Sequence, residues 1–182
     1  MKKGILLFAL LTPACASSCE AGKANAIIAD RSGLHGITFS DDATYQSRYP
    51  TTACLRVITR NNRDAGLICR SRSSEFLVDN GIGTGETPDP VRTSNHVTVS
   101  TAISLYEMQE TIKDGRTLYT VDVDCDEQNG AIYRPTSTCN VTYWPLNDGE
   151  FIYANMTVEN HVSKRQVLSK EEIDLIISRI EK

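Results

Sequence analysis

Apolar and polar residues alternate along several stretches of the chain, which is the pattern of half-buried β-strands. The alternation runs from Cys54 to Arg60 and again from Val97 to Leu105. Three later segments, 118–126, 131–143 and 151–158, follow turn-forming residues at Asp114-Gly115, Asn129-Gly130 and Asn147-Asp148-Gly149. Successive strands joined by such turns predict an antiparallel meander, with the segment 118–126 returning along the strand that ends at Leu105.

The first of these stretches predicts a hairpin. Asn61-Asn62 can adopt the positive φ angles that a two-residue turn requires. If these two residues form the turn, Leu55 lies opposite Ile68 and Cys54 lies opposite Cys69. A register slip of one residue would separate the two cysteines.

The end of the chain changes period and predicts a helix over residues 169–181. Ser169 and Glu172 have the spacing of a capping box. Isoleucines at 173, 176, 177 and 180 form one apolar stripe, which would pack on the sheet.

The segment Asp79–Asn95 has no apolar periodicity and contains several glycines and prolines, so we expect a long loop. Loops of this length inside compact domains are often functional. We therefore take it as a partner-binding element, with an insertion that contacts nothing as the alternative. The contact residues of this loop would be Gly81, Ile82, Gly83, Thr84, Gly85 and Glu86.

The N-terminus predicts export. Lys2-Lys3, a short apolar run and Ala14-Cys15-Ala16 make residues 1–16 a signal peptide of bacterial type. Residues 17–53 would form a leader or tether, with a short helix around Ala21–Asp30, ahead of a β-domain over 54–182. No apolar run reaches the ~20 residues of a membrane-spanning helix.

The cysteines indicate an oxidising compartment. Cys54, Cys69, Cys125 and Cys139 have no metal or redox spacing, so we expect two disulfides, for which three connectivities exist. We favour Cys54–Cys69 and Cys125–Cys139, each a local pair across a turn. Cys19 is then left over, as a candidate for lipidation, a free thiol or a bond to another chain.

Charge adds two candidate contact surfaces and disfavours one partner class. The chain carries 19 basic and 23 acidic residues, which argues against nucleic acid. In a strand, Asp122, Asp124 and Asp126 would share one face as an acidic stripe, either solvated, docked to a basic partner or holding calcium with loop oxygens. The predicted hairpin carries a basic patch that could bind an anionic polymer or pair with the acidic stripe, and its arginines are Arg56, Arg60, Arg63, Arg70 and Arg72.

Catalytic and cofactor motifs are missing from the sequence. The sequence contains no G-x-S-x-G motif of serine hydrolases, no H-E-x-x-H motif of zinc hydrolases and no G-K-[ST] of a phosphate-binding loop. The three histidines, His35, His96 and His161, are far apart in the sequence. We therefore predict a mainly β protein of α+β type, a meander or sandwich with a C-terminal helix and two disulfides. The predicted function is a non-catalytic binding protein of the bacterial periplasm or outer membrane, without cofactor or metal. It would be an inhibitor or immunity-type protein acting on another envelope or secreted protein through the 79–95 loop. The alternative is an adhesin or structural protein that binds an anionic polymer through the arginines.

Overall fold

The computed structural model describes residues 27–88, 93–101, 104–113, 115–129 and 132–181, with side chains described outside 86–95 and 126–135. Its strands are β1 (Ile37–Asp41), β2 (Thr52–Thr59), β3 (Asp64–Ser71), β4 (Ile82–Pro88), β5 (Thr93–Ser100), β6 (Leu105–Glu107), β7 (Gln109–Lys113), β8 (Arg116–Asn129), β9 (Ile132–Pro145), β10 (Phe151–Asn160) and β11 (Arg165–Gln166). Its α-helices are α1 (Ala43–Arg48), α2 (Ser74–Asp79) and α3 (Lys170–Ser178), and a 3₁₀ turn covers Asn147–Gly149.

Two antiparallel sheets make up the fold. The large sheet has the order β1-β2-β3-β10-β9-β8-β7, with β11 paired to the end of β10. The small sheet has the order β4-β5-β6. The predicted fold class is thereby confirmed: a mostly antiparallel β protein with a C-terminal helix and two disulfides.

One face of the large sheet is covered by α3 and the N-terminal segment. Ser169 caps α3 by accepting a hydrogen bond from the Glu172 backbone, and Glu172 accepts from the Ser169 backbone, so the predicted capping box is present. The isoleucines of the predicted stripe are all buried against this first core. Ile28 forms a β-bridge with Ile180, which ties the N-terminal segment to the end of the helix.

The opposite face carries a second core, which the small sheet, α1 and α2 cover. Phe76 of α2 is fully buried, and its ring contacts those of Tyr45, Tyr49, Phe151 and Tyr153. This aromatic cluster joins both short helices to the large sheet.

The predicted hairpin of β2 and β3 forms with the expected register at its cysteines. Cys54 lies opposite Cys69, and Leu55 lies opposite Ile68. The turn differs from the expected two-residue loop, because the Thr59 N–H donates to the carbonyl of Arg63. Asn62 in this turn has a φ of 53°. The longer turn shifts the pairing of the two strands by one residue, and a bulge between the pairs Ile58↔Asp64 and Val57↔Gly66 offsets this shift. The bulge therefore restores the register that the cysteines need.

The long loop expected over Asp79–Asn95 is not present in the described part of that segment. Residues 74–79 form α2, and β4 pairs with β5 from Ile82↔Val99 to Pro88↔Thr93. Residues 89–92, which join these strands, lie outside the described residues. The glycines and prolines concealed the strand because β4 carries few apolar side chains and forms by pairing with β5.

Two further expectations are corrected by the strand order. The strand expected from Val97 to Leu105 ends at Ser100, and its neighbours are β4 and β6, whereas β8 pairs with β7 and β9. Within the expected leader, β1 pairs with β2 from Ile37↔Thr59 to Asp41↔Leu55, so this part of 17–53 belongs to the β-domain.

Residues 27–30 of the expected short helix are not helical, and its remainder lies outside the described residues.

Both favoured disulfides are confirmed, Cys54–Cys69 with Cα atoms 4.1 Å apart and Cys125–Cys139 with Cα atoms 5.6 Å apart. They fit an oxidising environment. In the described part of the chain, no helix is long and apolar enough to cross a membrane. The expected signal peptide and Cys19 lie outside the described residues.

Candidate protein-binding site

The connection between α2 and β4 fixes the position of the small sheet. Ser73 caps α2 by accepting a hydrogen bond from the Phe76 N–H, and Asn80 ends the helix with a side-chain bond to the Phe76 carbonyl. Gly81 follows with a φ of 74°, and its carbonyl accepts a 2.8 Å bond from the Ser100 N–H. A Cβ atom at residue 81 would overlap the Ser100 carbonyl oxygen. Only glycine therefore fits this junction without strain.

The base of the β4–β5 hairpin is anchored in the second core. Ile82, Val97 and Val99 are each at most 5 % exposed and belong to the same cluster as Phe76. Beyond this base, Gly83, Thr84 and Gly85 are exposed. The hairpin thus combines a buried base with an exposed Gly-Thr-Gly segment.

A polar network holds α1 against α2 beneath the hairpin. Asp79 at the end of α2 accepts a short hydrogen bond from the Tyr49 hydroxyl and a 2.6 Å bond from the Arg48 guanidinium. The Arg48 guanidinium also lies 5.2 Å from the centroid of the Tyr49 ring. Burial, together with the hydrogen bond to Asp79, raises the pKa of Tyr49 to about 12. The hydroxyl therefore stays protonated as a donor at neutral pH.

The outer edge of β4 is unpaired within the described residues. β4 is the terminal strand of its sheet, and its hydrogen bonds go to β5. Along an antiparallel pair of strands, every second residue forms hydrogen bonds to the neighbouring strand. Since Gly81 is bonded to Ser100, the backbone groups of Gly83 and Gly85 also face β5. Met108 donates to Val97, which confirms that alternate residues of β5 face β6. The backbone N–H and C=O groups of Thr84 and Glu86 therefore point away from the sheet.

Every sheet edge carries charges, but in β1, as in β4, they lie only towards the end of the strand. The edge strand β7 contains Glu110 and Lys113, and the three-residue edge strand β6 ends in Glu107. Charges and short length are common protections against edge-to-edge pairing. β4 carries Glu86 and Pro88 only towards its end, and Gly83-Thr84-Gly85 precede them.

Comparison with known proteins yields no relative. The chain matches no protein-family model, no curated protein and no solved structure.

The expected arginine patch is divided by the structure. Arg56 lies opposite Leu67, which packs on the second core, whereas Arg70 lies opposite Ala53, which packs on the first. The two arginines therefore point to opposite faces of the sheet. Arg60 and Arg63 lie at the turn, roughly 25 Å along the strands from Arg72 at ~3.3 Å per residue. An anionic polymer would meet separate arginine groups.

Three of these arginines pair with carboxylates, but not with the acidic stripe. Arg56 contacts Asp42 at 2.8 Å and Asp64 at 2.5 Å. Burial would raise the pKa of the Asp42 carboxyl, but hydrogen bonds from Arg56 and from the Thr44 backbone outweigh burial and hold this pKa below its usual value. Arg70 and Arg72 both face Glu150, at 2.8 Å and 3.8 Å.

The acidic stripe is engaged in contacts within the chain. Asp122 accepts a 2.8 Å hydrogen bond from Asn140 and forms a 3.1 Å ion pair with Lys170 of α3. Asp124 accepts a bond of 3.4 Å from the Tyr106 hydroxyl. A register shift follows at Cys125, and the side chain of Asp126 lies outside the described ones. Both carboxylates therefore have partners within the chain.

The histidines are separated in space as they are in sequence. His96 lies 3.1 Å from Glu107, and His161 lies 2.8 Å from the Thr138 hydroxyl. His35 lines a cavity together with Arg60 and Arg63. Among the described side chains, no group of three His, Cys, Asp or Glu residues is placed to hold a metal ion.

The segment that the sequence predicts to bind a partner contains this edge, but its structure differs from the expected loop. The glycines predict a loop at Gly83, Thr84 and Gly85, whereas these residues form an edge strand. The signal that could have found it is the pairing of Ile82 with Val99, two β-branched residues equidistant from the intervening turn. The importance of Gly81 at the junction had no sequence signal beyond its being a glycine.

Proposed function

We propose that this chain is a non-catalytic binding protein of inhibitor or immunity type, which captures another protein by accepting one of its strands at the β4 edge. Exposed sheet edges bind extended segments because main-chain hydrogen bonds supply affinity and alternate side-chain positions supply specificity. The partner would be an envelope or secreted protein, and the place of action the periplasm or outer membrane of a bacterium.

The observation that carries the proposal is the outward-facing backbone of Thr84 and Glu86 beside two glycines. Gly83 and Gly85 have no side chains, so a second backbone can approach the strand closely. A Cβ at Gly85 would have nothing within 4 Å, so no described side chain covers this face of the strand. The buried base at Ile82, Val97 and Val99 keeps this edge in a fixed position.

The arrangement of polar side chains supports a non-catalytic role. The four cysteines of the β-domain are joined in disulfides, and each histidine has at most one described polar partner. A nucleophile, a base and an orienting group within hydrogen-bond reach are the usual signature of covalent catalysis. The described residues do not bring such a group together.

Two features support the proposed location. The disulfides fit an oxidising compartment, and residues 1–16 have the composition of a signal peptide. The intact mass of the protein purified from its natural host tests this part of the proposal. A mass starting at Ser17 supports export, and a retained Met1 in the mature protein contradicts it.

The test of the binding site is a pair of substitutions at one position. Thr84→Pro removes the outward N–H without breaking a bond to β5, whereas Thr84→Ala keeps this N–H and removes the same side chain. Both variants should keep the wild-type melting temperature within about 3 °C. Wild-type protein and both variants are used as bait against envelope extract of the host, and the captured proteins are identified by mass spectrometry.

We expect one protein to be captured by wild type and Thr84→Ala, and to be lost with Thr84→Pro. The purified pair should then protect the amides of residues 84 and 86 from hydrogen exchange, and the partner's activity should fall when the complex forms. Equal capture by Thr84→Pro and Thr84→Ala would exclude strand addition at β4. An unchanged partner activity would exclude the inhibitor role while leaving the binding site intact.

A further inference from the structure

A cavity lies at the border of the first core, on the face of the large sheet opposite to β4. It has a volume of about 540 Å³ and opens between the end of β3, the start of β8 and the connection from β9 to β10. This is the size range of small-molecule sites. Its principal polar and aromatic lining residues are Arg70, Arg72, Arg116, Trp144, Asp148 and Glu150.

Arg116 is the most unusual group of this cavity. Its guanidinium lies over the Trp144 ring, 4.5 Å from the centroid. Its Nη2 atom is buried without a hydrogen-bond partner. A buried charged donor without an acceptor costs free energy, and this cost is recovered when the guanidinium turns to bring the donor to an acceptor atom in the cavity. Among the described residues, no carboxylate forms an ion pair with Arg116.

Two further arginines share one carboxylate at the opposite wall. Glu150 contacts Arg70 at 2.8 Å and Arg72 at 3.8 Å. The Arg72 side chain is 58 % exposed and its contact is the longer one, so it can turn towards a ligand. Arg70 is 27 % exposed and remains bound to Glu150.

The charge balance of the cavity selects the class of ligand. Arg70, Arg72 and Arg116 supply three positive charges, and Asp148 and Glu150 supply two negative ones. The surplus of one positive charge matches a monoanion. A dianionic phosphate would leave a net negative charge in the partly buried site. The planar fork of an arginine also matches a carboxylate in two parallel hydrogen bonds.

We propose that this cavity binds a small polar carboxylate, such as a sugar acid, with Arg116 and Arg72 as its anion-binding residues. Trp144 orients the Arg116 guanidinium by stacking beneath it. The hydroxyl-binding groups would come from the remaining polar wall at Thr117 and Asn147. This site does not involve β4, so it stands or falls independently of the proposed protein-binding function.

Trp144 makes the proposal directly measurable. It is the single tryptophan of the chain, so intrinsic fluorescence reports on this cavity. The full-length mature protein is titrated with glucuronate, with the neutral match glucose and with inorganic phosphate. We expect a saturable fluorescence change with glucuronate and none with glucose, and a response to phosphate at least tenfold weaker.

Two variants with opposite expected effects complete the test. Arg116→Gln should weaken glucuronate binding at least tenfold, whereas Glu150→Gln should strengthen it several-fold because it frees Arg70 and Arg72. Arg60→Gln, at the far turn, is the matched control and should leave binding unchanged. Calorimetry repeats the titrations, since Arg116→Gln also alters the environment of Trp144.

Four outcomes would overturn the proposal. The first is the absence of a saturable response to glucuronate up to about 50 mM, a concentration that saturates a site with a Kd of about 1 mM. The second is an equal response to glucose, and the third is tighter binding of phosphate than of glucuronate. The fourth is unchanged affinity in Arg116→Gln. If Arg116→Gln fails to fold, Arg72→Gln replaces it with the same expected direction.

Discussion

Gly81 lies against the carbonyl of Ser100 so closely that no larger residue fits at position 81. This contact closes the junction between α2 and the small sheet, because the same two residues share the first hydrogen bond of the β4–β5 ladder. The position of the proposed binding edge therefore depends on a residue that does not itself face a partner.

Gly81→Ala should destabilise the protein by about 2–4 kcal/mol, because the added methyl group meets the Ser100 carbonyl and the φ of 74° disfavours alanine. Urea unfolding followed by circular dichroism measures this loss. Gly85→Ala is the matched control in the same strand. A Cβ there contacts nothing within 4 Å, so its effect should stay within about 0.5 kcal/mol. Equal stabilities of the two variants would mean that the junction is not closed as described.

The two disulfides should differ in their contribution to stability. Their sequence separations are 15 and 14 residues, so loop closure contributes about 3 kcal/mol in each case. Cys54 and Cys69 are both at most 2 % exposed in the second core, whereas in the other pair Cys139 is buried there and Cys125 is only partly buried. We expect Cys54→Ala/Cys69→Ala to cost about 1 kcal/mol more than Cys125→Ala/Cys139→Ala, because it also leaves a cavity.

Thermal unfolding of both double variants, each prepared without reductant, gives the comparison. Wild-type protein unfolded with and without reductant supplies the reference for losing both bonds. A larger loss for the Cys125–Cys139 pair would show that loop closure, and not packing in the core, decides the order.

Much of the fold could be predicted where the signal is local. The isoleucine stripe and the Ser169–Glu172 capping box specify α3 because both lie within a few residues of each other along the chain. The Cys54–Cys69 register was also predicted correctly, although its assumed turn was wrong. The bulge before Gly66 compensates for the longer turn, and a bulge has no clear mark in a single sequence.

The candidate site could be predicted only in its location. Whether a strand lies at the edge of a sheet depends on pairings between distant segments. The alternation that includes Val97 and Val99 predicts the strand β5, but it does not say whether β4 or β8 lies beside this strand. The division of the arginines has the same origin. Arg56 and Arg70 are both near the cysteines in the sequence, but the strand geometry turns them to opposite faces and towards Asp42 and Glu150.

The ion pair of Asp42 and Arg56 should make stability depend on pH at the acidic end. The pKa of Asp42 is lowered in the folded state, so its contribution is present above the unfolded value of about 3.9 and is lost as pH falls through the folded pKa. Asp42→Asn should cost about 1–2 kcal/mol at pH 7, because the 2 % exposed carboxylate is replaced by a neutral amide. The difference from wild type should shrink towards pH 2.

Asp64→Asn tests whether this effect belongs to the buried partner. Asp64 contacts the same arginine, but its side chain is 54 % exposed, so we expect a loss below about 0.5 kcal/mol. Chemical unfolding at several pH values between 2 and 7 compares the two variants. A constant difference between Asp42→Asn and wild type over this range would contradict the assignment to the charge of Asp42.

Tyr153 should make stability fall at the alkaline end. Burial raises the pKa of its hydroxyl to about 12, whereas an unfolded tyrosine ionises near 10. The folded state therefore keeps a proton that the unfolded state loses, and stability declines as pH rises from about 10 to about 12. Tyr153→Phe should remove this share of the decline. At pH 7 it should change stability by less than about 1 kcal/mol, because the only bond to its oxygen among the described residues is the 3.4 Å contact from Asn155.

Unfolding by urea at pH 8, 10 and 11 measures the slope. Tyr49 has a pKa of about 12 as well, so Tyr49→Phe should also reduce the decline, and the double variant should be the least sensitive to alkaline pH. Tyr49→Phe should in addition lose stability at pH 7, because it leaves Asp79 without the hydroxyl that donates to it. Identical alkaline slopes for wild type and Tyr153→Phe would mean that the phenol at position 153 is open to solvent, and the aromatic cluster around Phe76 would then need a looser packing than the one described.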